Sequence, residues 1–368
     1  MKVVHTYANQ HEVLWKELLY TQYLSAILAK KHYGNISFYC TPKIRKQVEE
    51  LNLPYDFIDD KTINQQDLKC WSVPKVKVFN TIEEQYLHLD TDTLLFDKFQ
   101  LGEYKNSIVF SHLDLGPSNR TEFILNENNS YSKLFLKLKD EIPAGILNTF
   151  DFSSIPNMNM AYIGNPKLFK EASEFVLDFY GKHKNEIDQE IDGPCFTEQL
   201  MLHFKLRELN SEYLQISDKH NHVFFNNIPF SVDNRNNSVN NDAVSLEGLT
   251  FPLTYNVIHK DTQEMVKYTL EDKTRETLLS FLDYNFNGFL HLTYQKWFDI
   301  FQAMIIHKLR KEIGDNQLQK IHSYFRKIHP NLPQNLLSLE NSSDPLPMKS
   351  KGEELYENLT GFKFIELD

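Results

Sequence analysis

The first sixty residues alternate between strand-type and helix-type patterns, and this alternation constrains the fold more than any other feature. Residues 2–8 read KVVHTYA, a β-branched and aromatic run that predicts a first strand. Residues 15–33 carry apolar side chains at helical spacing, and residues 36–40 predict a second strand. A helix over 42–51 and a short strand over 55–58 follow. This β-α-β-α-β series predicts an α/β fold, as the opening of a nucleotide-binding type of sheet.

The carboxyl ends of the strands are the expected ligand edge of such a sheet. The residues that follow the first strand should therefore line a nucleotide pocket. Thr6 and Tyr7 are the candidates for holding a base or ribose there. His5, one position earlier, is expected to be an ordinary core or surface histidine.

Residues 86–96, YLHLDTDTLLF, contain the clearest candidate for a functional site in the sequence. Apolar runs on both sides of Asp90 and Asp92 predict a buried strand that stops at these two acids. Two carboxylates held at a strand end, away from a solvated face, raise each other's pKa unless a cation lies beside them. A hard divalent cation with oxygen ligands, itself bound to a diphosphate, satisfies this requirement. An ordinary strand-to-turn junction with solvated acids is the competing interpretation.

With apolar runs on both sides, Asp90-Thr91-Asp92 resembles the DxD motif of GT-A glycosyltransferases. The resemblance is greatest to glycosyltransferase family 8 and related retaining families. The resemblance implies a Rossmann-like nucleotide-binding sheet with flanking helices. It also implies that the two acids hold Mn2+ or Mg2+ against the diphosphate of a nucleotide sugar, with UDP as the expected nucleotide. Glycosyl transfer with retention of anomeric configuration is the reaction that follows from this resemblance.

Three further segments resemble motifs of the same families. Lys75, on a helix predicted over 70–79, has the spacing to Asp90 of a basic residue that contacts the diphosphate or sugar. Asn159 has the position of an asparagine that contacts the transferred sugar, although Ala161 replaces the usual glycine. The pair Glu198 and Gln199 resembles an acid-then-glutamine motif beside the anomeric carbon. Glu198 would orient the sugar and Gln199 would stabilise the reacting centre, whereas the alternative is an acid favoured by a helix start.

Residues 283–297, DYNFNGFLHLTYQKW, have two interpretations. The first six residues match the start of an EF-hand loop, but Tyr294 stands where the loop needs a bidentate Glu. Alternatively, His291 and Lys296 resemble the C-terminal metal-ligand histidine and diphosphate-contacting lysine of the family 8 group, at one residue shorter spacing. His259 is the rival third ligand, and a neutral imidazole beside two acids suits Mn2+.

Charge and cysteine content exclude several classes of protein. The chain has 39 Lys and Arg against 50 Asp and Glu, a net charge of -11, so nucleic acid is not an expected partner. Three widely spaced cysteines suggest neither a disulfide framework nor a zinc site. Because the N-terminus lacks an apolar signal core and no long apolar run exists, we expect a cytoplasmic protein. Helices predicted over 298–328 carry a basic face that is expected to be solvated or to contact anionic lipid.

We predict three segments: a GT-A catalytic domain over 1–260, a C-terminal helical extension over 261–335, which includes a long polar helix over 262–284, and a linker with a short terminal segment over 336–368. The predicted function is metal-dependent transfer of a sugar to an unknown acceptor, which is a glycan, a lipid-linked glycan or a protein. Two alternatives are a non-catalytic carbohydrate- or nucleotide-binding protein and a nucleotidyltransferase. The latter normally has a Gly-rich basic loop after the first strand, which this sequence lacks.

Overall fold

The structure, a computed structural model, describes most of the chain as alternating strands and helices. The described residues are 1–9, 12, 14, 16–111, 113–114, 130–144, 155–190, 193–209, 211, 213–215, 222–224, 253–258, 265–270, 275–284, 289–291, 299–328 and 350–365. Statements of absence below refer to these residues. Within them, the helices lack a segment with the length and apolar content that a membrane crossing requires.

The strands and helices within the described ranges have the following bounds. The strands are β1 (Lys2–Thr6), β2 (Asn35–Tyr39), β3 (Phe57–Asp59), β4 (Tyr86–Leu89), β5 (Thr93–Leu95), β6 (Ile108–Phe110), β7 (Leu113–Asp114), β8 (Ile155–Pro156), β9 (Met160–Ile163), β10 (Tyr213–Gln215), β11 (His222–Phe224), β12 (Leu253–Ile258), β13 (Met265–Leu270) and β14 (Phe289–His291). The helices are α1 (Lys16–Tyr33), α2 (Pro42–Glu50), α3 (Val73–Thr81), α4 (Ser130–Leu138), α5 (Pro166–Ile187), α6 (Leu202–Glu208), α7 (Arg275–Asp283), α8 (Asp299–Ile328) and α9 (Lys351–Thr360). A short helix, Gly193–Cys195, and a π-helix, Phe196–Met201, lead into α6.

The main sheet has seven strands in the order β10-β6-β9-β4-β1-β2-β3. β1 pairs in parallel with both β2 and β4, and β2 pairs in parallel with β3. β9 runs antiparallel to its neighbours β4 and β6. The order 3-2-1-4 is that of one half of a Rossmann-like sheet, and it brings the carboxyl ends of β1 and β4 side by side.

Successive residues of β1 are buried against helices on opposite faces of this sheet, as the period of a strand requires. Val4 packs in a cluster with α3, α5 and the π-helix. Val3 packs with Ala26 and Ala29 of α1. Both valines are fully buried. The predicted α/β fold class, a Rossmann-like sheet with flanking helices followed by a C-terminal helical extension, is therefore confirmed.

A second sheet, in the order β13-β12-β11-β14-β5, corrects one prediction. The long polar helix predicted over 262–284 is wrong, because residues 265–270 form strand β13, paired with β12, and only 275–283 are helical. The sequence MVKYTL is rich in β-branched and aromatic residues, which favour a strand once a partner strand is present. The predicted domain boundary at residue 260 falls between the two strands of this hairpin and stays a prediction.

The C-terminal helices pack on the outer side of α1. Phe301 and Ile305 of α8 share a buried cluster with Leu24 of α1 and Leu355 of α9. The fully buried carboxylate of Glu353 accepts hydrogen bonds from the Tyr20 hydroxyl at 2.5 Å and from His322 Nδ1 at 2.8 Å. The C-terminal helix is thus attached to the sheet domain by a buried polar contact as well as by apolar packing.

Gly164, which follows β9, is the glycine whose replacement should harm the main sheet most clearly. A Cβ at this position would lie against the backbone carbonyl oxygens of Tyr104 and Ser107, 2.5 Å from the latter. Because neither carbonyl can move without shifting backbone, we expect Gly164→Ala to lower the free energy of unfolding by about 3 kcal/mol. Gly181→Ala is the control, since that helical site is open and the change should stabilise by up to about 1 kcal/mol. If chemical denaturation gave Gly164→Ala the same free energy of unfolding as the wild type, this packing around Gly164 would be contradicted.

Candidate active site

The two acids lie on a turn at the carboxyl edge of the main sheet. β4 ends at Leu89, and β5 begins at Thr93. The Asp90 backbone N–H donates to the Asn159 carbonyl at 2.7 Å, and the Thr93 N–H donates to the Asp90 carbonyl at 3.0 Å. The turn that carries Asp90 and Asp92 is therefore fixed between β4, β5 and the start of β9.

Lys75 bridges two carboxylates at this edge. Its Nζ lies 2.6 Å from Asp90 Oδ1 and 2.6 Å from Glu198 Oε1. The side chains of Lys75 and Glu198 are 8% and 2% exposed, whereas that of Asp90 is 25% exposed. Helix α3, the turn after β4 and the π-helix each contribute one group, so only tertiary packing assembles this ion triad.

Burial and charge act in opposite directions on the triad. Burial by itself lowers the pKa of Lys75, but the charges of Asp90 and Glu198 outweigh it, and the pKa is raised above its ordinary value. Burial raises the pKa of Glu198 to about 7, against the opposing charge of Lys75 and with a further increase from Asp90. Lys75 is therefore a firmly protonated cation, and Glu198 changes charge near neutral pH.

Asp92 occupies a different environment from Asp90. Burial raises its pKa, and the charge of Lys75 opposes that increase only in part. A carboxylate whose ionised form is disfavoured by burial gains most from a cation placed beside it. This is the electrostatic situation that the sequence predicts for the acids of the motif.

Asn159 presents a buried amide to the site. The residue is 2% exposed, and its backbone N–H donates to Asn157 Oδ1 at 3.0 Å. Neither Nδ2 nor Oδ1 of Asn159 has a hydrogen-bond partner in the described structure. Because a buried amide without partners costs a few kcal/mol, these atoms mark a place where a polar ligand group would be stabilised. Gln199, half-buried, follows Glu198 in the π-helix.

The predicted nucleotide residues end β1, next to the acids. The parallel register pairs His5 with Leu89, so Thr6 lies level with Asp90 on the neighbouring strand. Thr6 is 9% exposed, and its Oγ1 has no hydrogen-bond partner in the described structure. Tyr7 is held by its backbone N–H, which donates to the Tyr39 carbonyl at 3.0 Å. The structure therefore brings Thr6, Asp90 and Asn159 to one edge of the sheet.

The backbone of His291 also approaches the motif. β14 pairs antiparallel with β5, and His291 lies directly opposite Thr93, one residue after Asp92. Directly opposed residues of such a pair have Cα atoms about 5 Å apart. Lys296 and the rival ligand His259 lie outside the described residues. Among the described side chains, no group of three or more His, Cys, Asp or Glu residues is arranged to hold a metal.

Sequence reasoning missed Ser25 and Thr93, which position the turn. Ser25 Oγ donates to the Thr93 carbonyl at 2.6 Å, and Thr93 Oγ1 donates to the Asn159 carbonyl at 3.4 Å. Both residues are buried. The available signal was a serine on the buried face of helix α1, between Leu24 and Ala26.

His5 lies in the core beside Tyr55, at 3.1 Å from its hydroxyl, and burial lowers the pKa of His5 to about 3.

A surface cavity of about 590 Å3 lies on the opposite edge of the sheet. Its lining includes Lys2 at the start of β1, Asn35 at the start of β2 and Gln85 before β4. These are the amino ends of the strands, whereas ligands of Rossmann-like sheets bind at the carboxyl ends. The cavity is therefore separate from the acids and from the ion triad.

The fold and the site together define an α/β protein with a Rossmann-like sheet, whose carboxyl edge carries two acids, a buried lysine and an unpartnered amide. Residues 14–236 match the model of a family of unknown function, DUF6734, and the chain belongs to that family. A comparison with curated proteins gives no match.

Two glycosyltransferase structures are among the solved structures that match the chain. The first is the apo structure of the bifunctional glycosyltransferase WbbM, at 9% identity and a TM-score of 0.40, over 87% of this chain and 51% of that one. The second is apo mouse xyloside xylosyltransferase 1, at 10% identity and a TM-score of 0.33, over 59% of this chain and 85% of that one. The chain thus spans about half the length of the WbbM structure. TM-scores of 0.40 and 0.33 do not indicate the activity of this chain.

Replacing Glu198 by Gln should change how stability depends on pH. Because the pKa of Glu198 is raised from 4.5 to about 7, the folded state binds this proton more tightly than the unfolded chain. Wild-type stability should therefore fall relative to the variant as pH rises through this interval, by up to about 3 kcal/mol. Chemical denaturation at roughly pH 5 and pH 8 measures the difference, with Glu171→Gln on the exposed face of α5 as the control. If the difference in free energy of unfolding between the wild type and Glu198→Gln were the same at both pH values, the burial of Glu198 would be contradicted.

Proposed function

We propose that this chain is a GT-A-type glycosyltransferase that transfers a sugar from a nucleotide-sugar donor to an acceptor. The observation that carries the proposal is the convergence of Asp90, Asp92, Lys75 and Asn159 at the carboxyl edge of a 3-2-1-4 sheet, level with Thr6. This is the edge at which such sheets bind nucleotides. It combines acids suited to a cation, a cation suited to phosphate, and an amide suited to hydroxyl groups.

The donor set fits a divalent cation. Asp90 and Asp92 supply carboxylate oxygens, the ligands that Mg2+ and Mn2+ prefer, and burial disfavours the ionised form of Asp92 by raising its pKa. His291 is proposed as the third protein ligand, because β14 places it opposite Thr93. When bound, Mn2+ or Mg2+ would supply Lewis-acid stabilisation of the diphosphate leaving group.

Each remaining residue has a role that follows from its position. Thr6 and Tyr7, after β1, are proposed to hold the nucleoside. Lys75 and Lys296 share the negative charge of the diphosphate, since a buried ammonium forms strong charge-assisted hydrogen bonds with phosphate oxygens. The Asn159 amide both donates and accepts, which suits sugar hydroxyls. Gln199 is proposed to stabilise the reacting centre, with Glu198 orienting the sugar.

The finer parts of the proposal rest on the sequence resemblance. UDP as the donor nucleotide and retention of anomeric configuration belong to it, as does an acceptor that is a glycan, a lipid-linked glycan or a protein. We also propose a cytoplasmic location, with peripheral membrane contact through the basic surface of α8. Exposed Lys311 and Lys320 are part of that surface.

A thermal-shift series with nucleotides and UDP-, GDP- and TDP-sugars, with and without Mn2+, tests the donor site. We expect one nucleotide class to stabilise the wild type only when Mn2+ is present, by about 2.7 kcal/mol at a ligand concentration of 100 times Kd. Asp92→Asn keeps the side-chain shape but removes the charge, and should abolish this stabilisation. Asp178→Asn is the matched control, because Asp178 lies exposed on α5 and pairs with Lys182.

Equal Mn2+-dependent stabilisation of the Asp92→Asn variant would overturn the assignment of the metal site. Stabilisation without release of the nucleotide from the donor sugar, in the presence of glycan, lipid-linked and protein acceptors, would instead favour the non-catalytic binding protein.

A further inference from the structure

Asp90 is a member of the ion triad and is also proposed to bind the divalent cation. Its Oδ1 is bound to Lys75 Nζ at 2.6 Å. The same ammonium is bound to Glu198 at 2.6 Å, and both Lys75 and Glu198 are more than nine-tenths buried. The ammonium of Lys75, a cation supplied by the protein itself, therefore already neutralises Asp90.

We propose that Lys75 determines the order in which the site assembles: a divalent cation competes with Lys75 for Asp90, so it binds poorly alone and binds well together with a nucleotide diphosphate. This inference rests on the proposed function. It makes Lys75 a specificity-determining residue, which selects the complex of cation and diphosphate over the free cation.

The physical reason is charge balance at short range. A divalent cation at Asp90 would lie within a few ångströms of a buried, firmly protonated ammonium, and the two cations repel each other. A diphosphate removes this conflict, because its oxygens accept hydrogen bonds from Lys75 and give it a new anionic partner. The cation and the diphosphate should therefore bind with positive coupling.

Glu198 is expected to keep Lys75 in place during this exchange. Its side chain is 2% exposed and belongs to the π-helix, whereas that of Asp90 is 25% exposed. The long, flexible stem of a lysine allows its ammonium to leave one carboxylate while it stays bound to another. Glu198 then acts as a positioning residue for Lys75, in addition to any contact with the sugar.

Two titrations on Lys75→Met test the inference. Free Mn2+ measured by electron paramagnetic resonance reports binding of the cation alone, and calorimetry with UDP at saturating Mn2+ reports the diphosphate. We expect the variant to bind Mn2+ alone on the order of tenfold more tightly than the wild type, because a competing cation is gone. It should bind UDP on the order of tenfold more weakly, because a charged donor is lost.

Two further variants control for folding and for general charge effects. Lys75→Met combined with Glu198→Gln removes the buried carboxylate that the single change leaves without its cation, and should show the same tighter binding of Mn2+. Lys77→Met is the matched control, because Lys77 is on the same helix but pairs with Asp67 at 2.7 Å. Its Mn2+ and UDP affinities should equal those of the wild type.

The outcomes separate this inference from the proposed function. Mn2+ affinity that is unchanged or weaker in both Lys75 variants overturns the competition for Asp90. Tight binding of Mn2+ alone by the wild type, with UDP binding intact, overturns only the order of assembly. If UDP, GDP and TDP all fail to bind to the wild type at saturating Mn2+, the proposed function fails, and the role given to Lys75 fails with it.

Discussion

The structure of the site depends on one buried cation between two carboxylates. Lys75 is held by Asp90 and Glu198 at 2.6 Å each, in a place that water scarcely reaches. Removing one member of such a group leaves a buried charge without compensation and typically costs 3–5 kcal/mol, whereas the intact group contributes little net stability. A contribution to folding therefore does not by itself explain the triad, which agrees with the role toward the cation and diphosphate that we propose for Lys75.

A network of short polar contacts holds the acids in register with this cation. The Thr93 backbone N–H donates to the Asp90 carbonyl, and Thr93 Oγ1 donates to the Asn159 carbonyl. The Thr93 carbonyl accepts from Ser25 Oγ of α1. The same residue pairs with His291 of the second sheet. The turn that bears the acids is thus fixed from the main sheet, from α1 and from the second sheet, which leaves few ways for its geometry to relax.

Helix α1 also connects the site to the C-terminal helices. One part of its buried surface carries Ser25, which reaches the turn, and another carries Tyr20, which donates to the buried Glu353 of α9. His322 of α8 completes this contact at 2.8 Å. The C-terminal helices α8 and α9 therefore support the helix that positions the acids.

Sequence alone determined the α/β class and the strand that stops at Asp90, because period-2 and period-3.6 patterns are local properties. Most candidate residues were chosen because their motifs resemble those of glycosyltransferase families. Local patterns failed for 265–270, where the partner strand β12 decided between helix and strand. Only the tertiary structure showed that Lys75 binds Asp90 and Glu198, and that Ser25 supports the turn. It also showed that the buried side-chain amide of Asn159 has no hydrogen-bond partner within the described residues. These contacts join elements distant in sequence, so they depend on packing and burial, which no local spacing specifies.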